Sequence, residues 1–180
     1  QMCIRDRSNA GVIAVGEGGY VVLSAQSVEN TGSIQAQLGQ VHLASGKAFV
    51  IDLNGDKLLR FDVTQALSSS DATESLVKNT GNILADGGRV QMTARAANGL
   101  LGQVVNTGGL LQANSVRSVN GEIVLDAGVG GTTTLGGNLS AQGIDSNTKG
   151  GNITALGDNI QIASSARINA SGQAGGGNVL

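Results

Sequence analysis

Residues 79–94 read Asn-Thr-Gly-Asn-Ile-Leu-Ala-Asp-Gly-Gly-Arg-Val-Gln-Met-Thr-Ala, and residues 30–44 read Asn-Thr-Gly-Ser-Ile-Gln-Ala-Gln-Leu-Gly-Gln-Val-His-Leu-Ala. Laid one above the other, Asn30, Thr31, Gly32, Ile34, Ala36, Gly39 and Val41 fall on Asn79, Thr80, Gly81, Ile83, Ala85, Gly88 and Val90. A degenerate third version starts at Asn106-Thr107-Gly108 and runs through Leu111-Gln112-Ala113 to Ile123-Val124-Leu125-Asp126-Ala127. Fainter echoes are Asn138-Leu139-Ser140-Ala141 with Ile153-Thr154-Ala155, and Ile168-Asn169-Ala170 with Val179. A unit this short cannot bury its own apolar face. It becomes stable only by stacking on a neighbour, so the repeat predicts a solenoid.

Within each unit the apolar period is two. Val41-His42-Leu43, Val90-Gln91-Met92, Ile123-Val124-Leu125 and Ile160-Gln161-Ile162 alternate, which is strand spacing with one face turned inward. Asn-Thr-Gly, Gly87-Gly88 and Gly150-Gly151 punctuate the strands, and their tolerance of positive φ suits tight corners. Strands of this length with glycine-rich corners predict about 20 residues per coil. Val21 to Val41 is one such step; Ile123 to Ile153 and Ile153 to Val179 are longer. The expected fold is all-β, a β-solenoid.

Composition agrees. The 180 residues include 29 glycines and no proline, as suits strands paired on both sides. The three aromatics are Tyr20, Phe49 and Phe61, few enough for a narrow tube filled by Val, Ile, Leu and Ala. Hydrophobic residues make up 40% of the chain, enough to offset the ordering entropy that a flexible glycine-rich segment could not. The net charge of −2, with no basic patch, gives no support for nucleic-acid binding. No run of 18 apolar residues is present, so no membrane insertion is expected, and no signal peptide opens the chain.

Residues 1–8 carry three charges and the one cysteine, Cys3, and lack the repeat grammar that starts near Asn9. They are expected to be a foreign or disordered extension, with the repeat domain spanning 9–180. The repeat portion then holds no cysteine, which excludes a disulfide scaffold and a thiolate metal site. Both ends look cut, as in a slice of a longer solenoid.

One segment breaks the repeat. Val41 to Val90 spans 49 residues, and the excess runs from about 47 to 78. Ala48–Leu53 reads as a strand, Asn54-Gly55 as a hairpin turn, and Lys57–Val63 as the returning strand. Asp71-Ala72-Thr73-Glu74 offers a capping box before Ser75-Leu76-Val77, predicting a short helix there. The insertion is thus a lateral hairpin with a short helix.

The order of these motifs resembles the filamentous haemagglutinin-like exoproteins of two-partner secretion. The likeness is carried by Asn30-Thr31-Gly32-x-Ile34-x-Ala36, Val41-His42-Leu43-Ala44-Ser45-Gly46 and Phe49-Val50-Ile51-Asp52-Leu53-Asn54-Gly55-Asp56. It continues in the stretch from Leu76 through Asn79-Thr80-Gly81 to Ala97, and in Ala166-Arg167-Ile168-Asn169-Ala170-Ser171-Gly172. It covers roughly residues 9–180. The resemblance implies a right-handed parallel β-helix in a large secreted or surface-exposed adhesin of a Gram-negative bacterium. It implies export through an outer-membrane partner transporter barrel by way of an upstream domain, and partners among host or bacterial cell-surface molecules. A stalk for a distal, contact-dependent toxin is the related alternative. The family's Asn-Pro-Asn-Gly secretion motif is absent from this stretch.

Chemical constellations are sparse, and neither an enzyme nor a cofactor is expected. His42, the one histidine, lies between Val41 and Leu43, so alternation turns it outward without acid-base or ligand partners. Asp52-x-Asn54-x-Asp56 begins like a calcium loop, but Lys57 stands where glycine is wanted and Val63 where glutamate would close it; a hairpin turn is the better reading. A polysaccharide-acting β-helix enzyme would need clustered carboxylates, whereas Glu122, Asp126 and Asp158 are scattered. Asn138, Asn152 and Asn169 open Asn-x-Ser/Thr sequons in an Asn/Ser/Thr-rich chain. Asn30, Asn79 and Asn106 are expected at equivalent corners. Phe49, Arg60 and Phe61 are the candidate partner-binding residues, since binding energy concentrates in aromatic and arginine anchors. A secreted carrier using that insertion is a further alternative. So is the opposite expectation, a hairpin that covers the solenoid.

Overall fold

A computed structural model describes residues 6–46, 48–54, 58–65, 76–95, 104–116 and 119–180, and of residues 48–65 the backbone. The chain makes six circuits of three short strands. The first circuit is β1 (Asp6–Asn9), β2 (Val12–Ala14) and β3 (Tyr20–Ala25). The second is β4 (Ser27–Asn30), β5 (Ser33–Gln35) and β6 (Gln40–Ser45). A two-stranded insertion follows, β7 (Ala48–Asn54) and β8 (Leu58–Gln65). The third circuit is β9 (Val77–Asn79), β10 (Asn82–Leu84) and β11 (Arg89–Ala94); the fourth is β12 (Val105–Thr107), β13 (Leu110–Gln112) and β14 (Glu122–Asp126). The fifth is β15 (Thr132–Leu135), β16 (Asn138–Ser140) and β17 (Asn152–Leu156), and the sixth β18 (Asn159–Ile162), β19 (Arg167–Asn169) and β20 (Asn178–Val179).

The first strands of all circuits form one six-stranded parallel sheet, A; the second strands form sheet B and the third strands sheet C. Each strand therefore pairs with its counterpart one circuit away. In sheet C, Val21, Val41, Val90, Ile123, Ile153 and Val179 are in register, and so are Leu23, Leu43, Met92, Leu125 and Ala155. In sheet B, Ile13, Ile34, Ile83, Leu111, Leu139 and Ile168 form one column. Sheet A contributes Val28, Val77 and Val105. These columns meet in a single core, so each sheet buries one face against the other two. The inward placement expected for Val41, Leu43, Val90, Met92, Ile123 and Leu125 is what the structure shows, and all six are fully buried.

Gly87 has the positive φ that the sequence suggested for corner glycines, at 69°, but most corner glycines are needed for a different reason. Gly11, Gly32, Gly81, Gly109 and Gly137 line one corner, and each carbonyl accepts the N–H that follows the next glycine: Gly11 O from Ser33, Gly32 O from Asn82, Gly81 O from Leu110. A Cβ on Gly32 would overlap the Gly11 carbonyl, and one on Gly81 the Gly32 carbonyl. Gly19, Gly39 and Gly88 repeat the arrangement between sheets B and C. Apart from Gly137 these glycines do not have positive φ. They are required because adjacent backbones touch, not because the chain turns left-handed.

Three expectations need correction. Asp6, Arg7 and Ser8 are not outside the fold: they pair in parallel with Ser27, Val28 and Glu29, so the first circuit begins at Asp6, while residues 1–5 lie outside the described residues. Only the first step has 20 residues; Val90 to Ile123 takes 33, because the stretches joining the strands lengthen while the strand register is kept. The capping box of the expected short helix, 71–74, lies outside the described residues, but its continuation through Leu76 and Val77 is not helical: Val77 is in β9, and no helix occurs among the described residues.

Candidate functional site

At the corner between sheets A and B, asparagines stack along the axis. Asn9 Nδ2 donates to Asn30 Oδ1 at 2.8 Å, and Asn30 Nδ2 to Asn79 Oδ1 at 2.7 Å. Asn79 Nδ2 closes the run on the Gly81 carbonyl at 3.1 Å. Asn30 and Asn79 are fully buried, so each amide satisfies a neighbour that water cannot reach. Asn106 is not the next rung. Its register partner is Lys78, and Thr107 stands opposite Asn79. Gly108-Gly109 adds one residue ahead of the strand, so the matching Asn-Thr-Gly letters sit one place out of register. The Thr107 hydroxyl takes over, donating to Gly136 O at 3.4 Å and, more weakly, to Thr134 O at 3.5 Å.

The insertion is an antiparallel ribbon, as the sequence indicated. Asn54 pairs with Leu58, Asp52 with Arg60, Ile51 with Phe61 and Phe49 with Val63; residues 55–57 lie outside the described residues. Directly paired positions share a face. By register, 49, 51, 53, 59, 61 and 63 fall on one face and 50, 52, 54, 58, 60 and 62 on the other. Phe49 and Phe61 therefore share a face with Ile51, Leu53, Leu59 and Val63. By the same register Arg60 falls in the other set. Asp52 and Asn54 are ladder positions in β7, so the hairpin is as expected but Asn54 pairs with Leu58 instead of standing in the turn.

His42 is outward in register but not in contact with water. It is 1% exposed, and Ala44 and Thr93 on the same outer face of sheet C are also buried. The neighbours of His42 in its own column, Val22 and Gln91, remain half-buried. Of the insertion, β8 comes closest to β6. His42 Nε2 lies 3.0 Å from Gln40 Oε1. Burial, and secondarily the Arg89 guanidinium, push its pKa down from 6.5 to about 4, so the ring is neutral at pH 7.

The corner between sheets B and C carries the most developed polar surface. Asp86 accepts from Gln112 Nε2 at 2.8 Å and from the Asn114 N–H at 2.9 Å. Asn114 Oδ1 accepts from Ser140 Oγ at 2.7 Å and from the Gln142 N–H at 2.9 Å, and Gln142 Nε2 donates to Ser140 Oγ at 2.9 Å. One side-chain network thus runs axially across three circuits. On its sheet B side a cleft of about 270 Å³ is lined by Gln35, Gln37, Leu84, Asp86 and Gln112. On the sheet C side a second cleft, of about 190 Å³, lies between Leu38 and the Arg89–Glu122 ion pair, whose Nε–Oε2 distance is 3.3 Å. Leu38 sits between the two with φ of 53°, the one described non-glycine residue with positive φ. Sequence reading missed this corner. Its signal is the position after each corner alanine, Gln37, Asp86 and Asn114, which the alignment of Ala36 with Ala85 and of Ala113 after Leu111 already brings together.

Of the sequon asparagines, Asn138 and Asn169 are exposed on sheet B. Asn152 is half-buried on sheet C and accepts from Asn178 Nδ2 at 3.0 Å. No group of three or more His, Cys, Asp or Glu side chains suited to a metal ion occurs among the described residues. No described helix is long and apolar enough to cross a membrane. Compared with known proteins, the chain matches no family model and none of the curated proteins.

Proposed function

We propose that the three sheets are the faces of a right-handed parallel β-helix, and that the chain is a non-catalytic shaft or adhesive segment of a large secreted surface protein. The observation that carries this is the unbroken register of three parallel sheets through six circuits around one core. Such a stack grows in one direction. At the roughly 4.8 Å spacing of neighbouring strands, six circuits extend about 24 Å, and the design has no intrinsic length limit. Right-handedness follows from the general preference of parallel crossover connections. The motif order that resembles two-partner-secreted exoproteins supports the outer surface of a Gram-negative cell as the destination, and an outer-membrane barrel as the exporter. Protease shaving of intact cells carrying the native gene tests this. Loss of the surface epitope on deleting the partner barrel is the expected result; retention of the protein in the cytoplasm overturns the reading.

The insertion is proposed as a cover rather than a binding loop. The buried outer face of β6 at His42 and Ala44 favours it, together with the approach of β8 and the collection of apolar positions on one face of the ribbon. Deleting residues 54–62 should then lower the melting temperature and leave cell adhesion unchanged. Lost adhesion with an unaltered β-sheet spectrum would make Phe49, Arg60 and Phe61 a partner site.

A further inference from the structure

We propose that the cleft lined by Gln35, Gln37, Leu84, Asp86 and Gln112 binds a neutral saccharide. The site is distinct from the insertion and does not depend on the shaft reading, since a spacer can carry it or lack it. Four of its five lining side chains are an amide or a carboxylate, and Leu84 supplies the apolar patch. Each sugar hydroxyl is both donor and acceptor. Glutamine amides offer both functions, and a carboxylate accepts two such donors. A peptide anchor would require a deeper apolar pocket than Leu84 alone provides.

The carboxylate is held in place before any ligand arrives. Gln112 Nε2 and the Asn114 N–H fix its two oxygens, and Asn114 is braced from the next circuit by Ser140 and Gln142. Rigid support of this kind lowers the ordering cost of binding. Facing it, the side chains of Gln35 and Gln37 are exposed, and their amides have no hydrogen-bond partner among the described residues. Charge sets the ligand's sign. No cationic side chain lines the cleft while Asp86 does, so an anionic sugar meets repulsion without a counter-charge. The volume is below the roughly 300–1,000 Å³ of pockets that enclose a whole small ligand. It suits one ring of a chain lying across the corner.

Saturation-transfer NMR on the full chain tests this, with neutral hexasaccharides of glucose, galactose and mannose and one hexauronate as probes. At least one neutral hexasaccharide should receive saturation. Q35A/Q37A should weaken its binding at least about tenfold, the loss of one to two hydrogen bonds, without moving the melting temperature. D86N keeps the shape of the cleft and should let the hexauronate bind better than it binds to the native chain. The proposal is overturned if no neutral hexasaccharide is saturated at about 10 mM, where even very weak binding is visible. Binding unchanged in Q35A/Q37A, or a hexauronate that binds the native chain as well as the neutral probes do, would overturn it equally.

Discussion

β6 and β14 belong to the same sheet, two circuits apart and in the same register, yet they are buried differently. In β14 only the inward residues Ile123 and Leu125 are sequestered, and Glu122, Val124 and Asp126 keep contact with solvent. In β6 everything from Val41 to Ser45 is buried, including the outward His42 and Ala44. The inner face is set by the repeat, which every circuit shares. The outer face is set by what lies over it, and at β6 the proposed cover is the insertion, a local addition to the repeat. The two faces of one strand thus answer to different parts of the chain, and substitutions can separate them.

The largest expected effect lies on the shared face. Val90→Asp or Leu125→Asp places an unpaired charge in the common core, at a cost of several kcal/mol, beyond what a domain of this size readily tolerates. Both variants should lose the cooperative thermal transition seen by circular dichroism. Native melting in both would remove the core assignment. Val124→Asp, on the half-buried outer face of β14, should melt within a few degrees of the native chain.

His42 tests the other face. Its folded pKa of about 4 lies below the unfolded value of 6.5, so the unfolded chain binds more protons between those limits. Stability is complete above about pH 6.5, falls as the pH drops toward 4, and levels off below it, with a total loss on the order of 3 kcal/mol. Urea unfolding between pH 3.5 and 7.5 would show the slope, and His42→Gln should flatten it. A native slope retained in His42→Gln would mean that His42 is hydrated and the face uncovered.

The same contrast explains what the sequence made legible. Val21, Val41, Val90, Ile123, Ile153 and Val179 could be aligned from alternation alone, because inward positions must be apolar wherever the tube continues. The burial of His42 could not be read, since alternation reports which way a residue faces and not what covers it. Asn106 was misplaced because three identical letters outweighed one extra glycine; the hydrophobic pair Leu111 and Ala113 already held the correct register. The glycines were recognised as corner residues, but their reason, backbone contact between circuits, is visible only once the circuits are stacked. The B–C clefts depend on neighbouring circuits in the same way.

The A–B corner offers the same contrast between two asparagines. Asn30→Ala removes the donor to Asn79 and the acceptor of Asn9 at once, leaving buried polar atoms unpaired, and should cost about 2 kcal/mol. Asn106→Ala, on a half-buried position outside the ladder, should cost less than Asn30→Ala. Chemical denaturation of the two variants side by side measures the difference. Equal losses would mean that the ladder contributes nothing beyond ordinary surface contacts.

The smallest effect should be close to zero. In register, Leu38 takes the place held by Gly18 one circuit earlier and by Gly87 one circuit later, both with φ near +70°. A residue with a Cβ is strained there by about 1–2 kcal/mol, which glycine avoids. Glycine also gives the unfolded chain more freedom, worth about 0.4–1 kcal/mol in the other direction. Leu38 is a third exposed, so the two-thirds of its side chain that is buried, worth about 1 kcal/mol, is lost with it. Leu38→Gly should therefore be close to neutral, within about 1 kcal/mol of the native chain. Asn, which tolerates the left-handed region, should fall in the same range. If both variants melt well below the native chain, the Leu38 side chain contributes packing at the ridge between the two clefts that outweighs its backbone strain.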